Sequence, residues 1–156
     1  MAARSLVLLV SILPFLELRG SIPLGLSKGL NLEEVFFLSI CANTGIVVPL
    51  LFFFNFLIKF CKKLRFLNKV LSWWFNKVEK KHYLVEKYGF WGLLFFVAVP
   101  LPGSGAWSGC LAASLFKVRF LKAFLAIALG ILIAGVLVSL LSTGAFKVFG
   151  YFTLPR

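Results

Sequence analysis

The sequence predicts an all-α integral membrane protein, arranged as an inverted repeat of a re-entrant hairpin plus a transmembrane helix, with an amphipathic basic linker helix between the halves. Three observations lead there. Hydrophobic residues make up 61% of the 156 residues, and the mean hydropathy is +1.00, a composition that belongs in lipid. Residues 35–58 and 118–142 are apolar runs of the length a bilayer-crossing helix needs, about 20 residues. Two further apolar stretches, residues 5–30 and 88–116, are interrupted by prolines and glycines that cannot continue a helix.

The first of these interrupted stretches begins with Ser5 to Leu16, a dozen residues and too short to cross alone. Arg4 ahead of it resembles the start of a signal peptide, but no small-residue cleavage site follows, so the segment is expected to stay in the protein. Glu17-Leu18-Arg19-Gly20 then interrupts the run, and Ser21 to Leu26 resumes it around Pro23 and Gly25. The stretch is either one kinked span or a hairpin that returns to its own face; the hairpin is the reading adopted. Asn31 with Glu34 three residues on has the form of a helix cap with its capping box, and the first full span follows as residues 35–58. Asn43 and Pro49 lie inside that span: a buried amide asks for a partner on a neighbouring helix, and a proline frees a carbonyl one turn back.

Residues 59–87 form the linker. Phe60, Leu64, Leu67, Leu71, Trp74 and Val78 recur at helical spacing, with lysines and Arg65 between them, so this helix is expected to lie along an anionic lipid surface; a short coiled-coil stalk is the competing reading. His82, the single histidine, is expected to be solvated. In residues 88–116, nothing charged lies between Tyr88 and Lys117, yet Val99-Pro100-Leu101-Pro102-Gly103-Ser104-Gly105-Ala106-Trp107 breaks the run. Non-helical backbone survives at membrane depth only where protein or trapped water satisfies it. Two half-helices facing a loop are expected. In the second full span, residues 118–142, Ala126, Gly130 and Ala134 make a small-residue ridge for a neighbour from this chain or a second copy. Residues 147–156 read as a short polar-aromatic tail.

The halves share hydropathy order and a short fragment, Ile22-Pro23-Leu24 against Val99-Pro100-Leu101. If both broken segments are hairpins, the halves enter the membrane with opposite orientation. The formal net charge of +12 is concentrated in the linker, which carries nine of the 17 Lys and Arg residues and is therefore placed in the cytoplasm, with both termini outside. A plain four-span chain gives the same charge tally, so the breaks decide. Basic charge confined between apolar runs fits anionic lipid better than nucleic acid. Cys41, Cys61 and Cys110 have no paired spacing, and neither a metal nor a cofactor is expected.

Glu17 and Arg19 are the ionisable groups within the apolar segments proper, and such groups are functional candidates by default. Burial and the neighbouring Arg19 act on Glu17 in opposite directions, so a proton switch there has no direction legible from sequence. A structural ion pair is the plainer reading. Gly103, Ser104 and Gly105 ahead of Trp107 offer backbone amides at the start of a half-helix, suited to a phosphate or carboxylate, with Arg19 completing the grip. Trp107 either stacks on a ligand or anchors the fold. Arg119 and Lys122 are expected to meet lipid phosphates. With Pro23, Asn43, Pro100 and Pro102, these residues make up the candidate substrate or proton site. No acid-base pair or activated nucleophile is apparent, so an enzyme is not expected: there is no Asp, and Ser104 has no evident base.

Glu17 to Gly25, the Asn43 and Pro49 region, Val99 to Gly109 and Lys122 to Gly130 together resemble the putative small multidrug export protein family, which is in turn similar to the DedA superfamily of prokaryotic membrane proteins. The resemblance implies a prokaryotic inner membrane location, paired re-entrant hairpins, and membrane-embedded acid and arginine, here Glu17 and Arg19, linked to proton-driven transport. It also implies that Pro100, Pro102, Gly103 and Gly105 belong to the second hairpin. A second intramembrane acid, usual in DedA proteins, is missing from this chain. The expected function is a small transporter of an anionic lipid, of polyprenyl-phosphate or phospholipid type, or of a phosphate-bearing solute, proton-coupled through Glu17. Efflux of cationic drugs and a non-transporting membrane organiser acting through the linker are the alternatives. Membrane lipids, a transported substrate and a second copy of the chain are the expected partners.

Overall fold

The computed structural model describes residues 2–14, 16–63, 82–100 and 104–153, and their side chains except at 61–63, 82–87 and 145–153. Described are six helices: α1 Ala2–Ile12, α2 Glu17–Ser27, α3 Leu32–Lys63, α4 His82–Ala98, α5 Ala106–Leu115 and α6 Phe120–Thr153. The amphipathic face predicted for the linker, Pro102 and Gly103 lie outside the described residues. The ends of the predicted linker are helical continuations of α3 and α4.

Helices α3 and α6 contain the two stretches long and apolar enough to cross a bilayer, Leu32–Phe60 and Phe120–Gly144. Both helices outrun the spans expected from hydropathy, since a helix ends where its caps are and not where its apolar run stops. The segment expected as a polar tail is helical to Thr153. By contrast, α1 and α2 have eleven residues each, about 16 Å of helix against the roughly 30 Å of a hydrocarbon core. Phe37, Phe52, Phe56, Leu121, Leu140 and Leu141 stand more than 60% exposed on α3 and α6, an apolar exterior that water disfavours and lipid accepts.

Each half starts with two short helices joined by a break. Pro14 has no amide hydrogen to carry α1 onward, and the turn closes through Leu13 N to Val10 O at 3.2 Å and Glu17 N to Leu13 O at 3.2 Å. Pro23, by contrast, sits inside α2 and frees only the Arg19 carbonyl. The expected likeness of Ile22-Pro23-Leu24 to Val99-Pro100-Leu101 is therefore corrected: Pro100 stands at a break and Pro23 within a helix.

A different correspondence replaces it. Helix α2 ends with Gly29 N donating to Leu26 O (3.0 Å) and Leu30 N to Gly25 O (3.2 Å), the paired bonds of a Schellman turn. Helix α5 ends with Lys117 N to Ser114 O (3.3 Å) and Val118 N to Ala113 O (2.9 Å). Gly29 and Lys117 are both left-handed, at φ 77° and 53°. The next helices begin with Val35 N to Asn31 O and Ala123 N to Arg119 O. Every member of the second set lies 88 positions after its counterpart.

Packing follows the same correspondence. In the first half α1, α2 and α3 meet at Val7, Ile22 and Val35, all fully buried; a Cβ at Gly25 would stand 2.6 Å from Val35 and 3.1 Å from Val7. Arg4 on α1 pairs with Glu34 on α3, so α1 starts where α3 starts and α2 runs back between those ends. Glu34 thus serves a neighbour and not the capping box expected of it. In the second half α4 and α5 pack on α6, with Val97 against Gly109 and Gly130. The halves join through α2 on α6, α5 on α3, and α3 on α6. Exchanging α1, α2 and α3 for α4, α5 and α6 turns each of these principal pairings into another of them.

The small-residue ridge on α6 takes α4 of the same chain. A Cβ at Gly130 would meet Val97 at 2.8 Å and the Leu94 carbonyl at 3.0 Å, and backbone cannot swing aside. Gly130→Ala is expected to cost about 1–3 kcal/mol as overpacking, read as a lower unfolding temperature in detergent. Gly45→Ala, where nothing lies within 4 Å, is expected to leave that temperature unchanged or raised.

Candidate functional site

The break between α4 and α5 leaves orphan groups on both sides: carbonyls ending α4 and amides starting α5. Side chains from the first half satisfy them. The Glu17 carboxylate, 5% exposed, accepts from Ala106 N at 3.2 Å and Trp107 N at 3.3 Å. Gly105 occupies the N-cap of α5 but has no side-chain oxygen to offer, so Glu17 supplies from another hairpin what an N-cap Ser or Asp would supply locally. The remaining end of this turn is closed by Ser108, whose Oγ accepts from Gly105 N at 2.9 Å.

Arg19 serves the other side of the same break. Its Nη2 donates to Ser104 O at 2.6 Å, Ser104 Oγ at 3.1 Å and Val99 O at 3.1 Å, and Ser104 Oγ donates to Val99 O at 2.7 Å. The anion thus lies at the positive end of α5 and the cation at the negative end of α4, the placement both helix dipoles favour. The ion pair expected between Glu17 and Arg19 is replaced by this division: two apart on the first turn of α2, they reach opposite banks of one gap.

A further bond ties the gap to the other break. Trp107 Nε1 donates to Ile12 O at 3.0 Å, at the end of α1, and its ring meets Phe54 edge-on at 6.5 Å between centroids.

Glu17, Arg19, Ser104, Gly105 and Trp107 therefore come together, with Pro100 half-buried beside them. Pro23 does not join them, being in mid-helix. Asn43 is 1% exposed, but its amide donates to Ser39 O in its own helix at 3.2 Å and not to a neighbouring helix as expected; the bond between α2 and α3 is Ser21 to Ser39 at 2.8 Å. Arg119 and Lys122 stand at the start of α6. Of the amides expected to receive an anionic substrate, that of Gly105 is taken by Ser108, and the next two along the chain, Ala106 and Trp107, are held by the chain's own carboxylate. What sequence reading missed is main chain, the Val99 and Ile12 carbonyls; Pro14 was the visible signal for the second of these.

A Glu/Arg couple that bridges a break from outside makes two hairpin tips one unit. Moving either tip breaks charge-assisted bonds, and neutralising the carboxylate weakens them.

In comparison with known proteins, the family described as "Putative small multi-drug export protein" matches residues 17–137, from the glutamate of the site to the far part of α6. No curated protein and no solved structure matches the chain.

Proposed function

We propose that this chain, which belongs to the putative small multi-drug export protein family, is a membrane exporter in which exchange of a proton or a cationic substrate at Glu17 releases the two hairpin tips from one another. The observation that carries this reading is the Glu17 carboxylate held on the Ala106 and Trp107 amides across two hairpins. Its charge is what binds the tips, so a proton or organic cation that takes that charge loosens them. Trp107 and Phe54 add an aromatic wall next to the acid, a surface that favours cations. A carrier and not an enzyme is the role inferred.

The inverted repeat belongs to the same reading: hairpins α1/α2 and α4/α5 enter lipid from opposite faces, each beside its own long helix. The Schellman turns 88 positions apart and the exchangeable packing support it. The basic segment 59–87 is placed at cytoplasmic anionic lipid, with Arg119 and Lys122 near headgroups of that face. A homodimer is proposed as well, since two long helices are few to enclose a pathway.

The other substrate class, an anionic lipid or phosphate-bearing solute carried in DedA-like fashion, would have to displace Glu17 from the amides it holds. Proteoliposomes separate the two. Under an imposed proton gradient the wild type is expected to move ethidium and the Glu17→Gln variant to lose at least tenfold in rate. Equal rates for both proteins, or movement of a fluorescent phospholipid and not of ethidium, would reject the cation reading.

A further inference from the structure

The 88-residue spacing pairs the junction with itself. It makes Gly105 the counterpart of Glu17, Ala106 of Leu18 and Trp107 of Arg19. The contacts follow the pairing to within one residue, since Val99 stands 88 positions after Ser11, the neighbour of Ile12. Arg19 reaches Val99 O just past the end of α4, and Trp107 reaches Ile12 O at the end of α1. Each donor sits in the first turn of one half's second helix and each acceptor at the end of the other half's first helix.

A residue that touches its own counterpart lies on the axis relating the halves, and Glu17 touches Gly105: a Cβ built on Gly105 would overlap the Glu17 carboxylate. Backbone freedom does not explain this glycine. Gly105 has φ −119° and ψ −160°, an extended conformation open to any residue. Glu17 is the one at φ 43°, where an L side chain is strained and glycine is at ease. The two residue types are thus reversed relative to what their backbones prefer, and the volume of the carboxylate is what keeps position 105 bare.

From this, and resting on the inverted-repeat reading, we infer that the junction holds a single carboxylate slot on the pseudo-two-fold axis, which either half can fill. A glutamate at position 105 facing a glycine at 17 would take the amides of Leu18 and Arg19 as Glu17 takes those of Ala106 and Trp107. One slot on the axis also accounts for a chain that carries one acid where its two halves could have brought two.

Thermal unfolding of the full chain in detergent micelles, followed by tryptophan fluorescence, tests the slot with E17G, G105E and the double variant. Each single variant is expected to melt several degrees below wild type, E17G because two amides lose their acceptor and G105E because two carboxylates compete for one space. The double variant is expected to recover at least half of the G105E loss; folding of the double where G105E alone does not fold counts the same way. A double variant that melts no higher than the lower single, or fails to fold where E17G folds, overturns the inference. Gly105→Ala supplies a second reading, expected to lower melting in the wild type and not in E17G; equal loss in both backgrounds overturns it too. The repeat itself is tested separately, by labelling single cysteines at the counterparts Lys28 and Phe116 in a cysteine-free background. Opposite accessibility is expected, and accessibility from one side rejects the repeat whatever the melting shows. Loss of transport alone moves neither result.

Discussion

Replacing Glu17 with alanine is expected to lower the unfolding temperature of the detergent-solubilised chain more than truncation of any other side chain at the junction. Lost attraction is the smaller part of the cause. The Ala106 and Trp107 amides belong to the first turn of α5, where no carbonyl of the helix can reach them, and Gly105 adds no capping oxygen. Ala106 is fully buried, so water cannot replace the carboxylate there. An unpaired buried donor costs about 1–3 kcal/mol, and with the part-buried Trp107 amide beside it the expected loss is at most about 2–6 kcal/mol. Glutamine keeps one oxygen to accept with but turns an NH2 group toward the second amide, so Glu17→Gln should fall between wild type and alanine. Glycine removes the same bonds as alanine but relieves the left-handed strain at φ 43°, so Glu17→Gly should melt above Glu17→Ala by the equivalent of about 1 kcal/mol. The order wild type, glutamine, alanine, with glycine above alanine, is the signature. Alanine within about 0.5 kcal/mol of wild type, the range of an ordinary surface change, would show that the carboxylate does not cap α5.

The placement of the breaks was legible because proline and glycine act locally. Pro100 has no amide hydrogen to carry α4 onward, and an eleven-residue helix cannot cross a bilayer. The long helices were legible from hydropathy, though not their ends, because α3 and α6 run on into polar sequence as long as their own hydrogen bonds continue. Across the halves, Arg19 was expected at the break that holds Ser104 and reaches it there, whereas the cap supplied by Glu17 was not legible. That Glu17 caps α5 depends on α2 lying against the second half, a contact between residues 89 and 90 positions apart, for which composition gives no signal. The tripeptide likeness misled for a related reason: side-chain similarity placed Pro23 beside Pro100, whereas the correspondence that the packing respects lies in backbone turns, Gly29 matching Lys117 in conformation with no likeness of side chain. Gly105 was read among the glycines that interrupt the helix, and with an extended φ and the Glu17 carboxylate where its Cβ would stand, its part is to leave space.

Substitution of Arg19 separates a structural clamp from a ligand grip. Its three hydrogen bonds to Ser104 and Val99 all leave Nη2, whose two hydrogens are shared among three acceptors. Alanine at this position removes a charged donor from the Ser104 and Val99 carbonyls and the cation from the end of α4, an expected loss of about 1.5–3 kcal/mol for a charge-assisted set. Lysine is usually a poor replacement where a guanidinium grips with its fork. Here the bonds converge on one nitrogen, and an ammonium brings three donors to that point. Arg19→Lys is therefore expected to recover about half or more of the melting loss of Arg19→Ala, and to keep ethidium movement where Arg19→Ala reduces it. If lysine restores stability but not transport, the guanidinium plane has work beyond the clamp. The bidentate grip of a phosphate or carboxylate is the chemistry that only the fork supplies, and that split would return the anionic substrate to first place. Trp107→Phe, which removes the counterpart bond to Ile12 O and keeps the ring against Phe54, is the control. A neutral bond is worth about 0.5–1.5 kcal/mol, so its loss should be smaller than that of Arg19→Ala in melting and should not depend on the substrate offered.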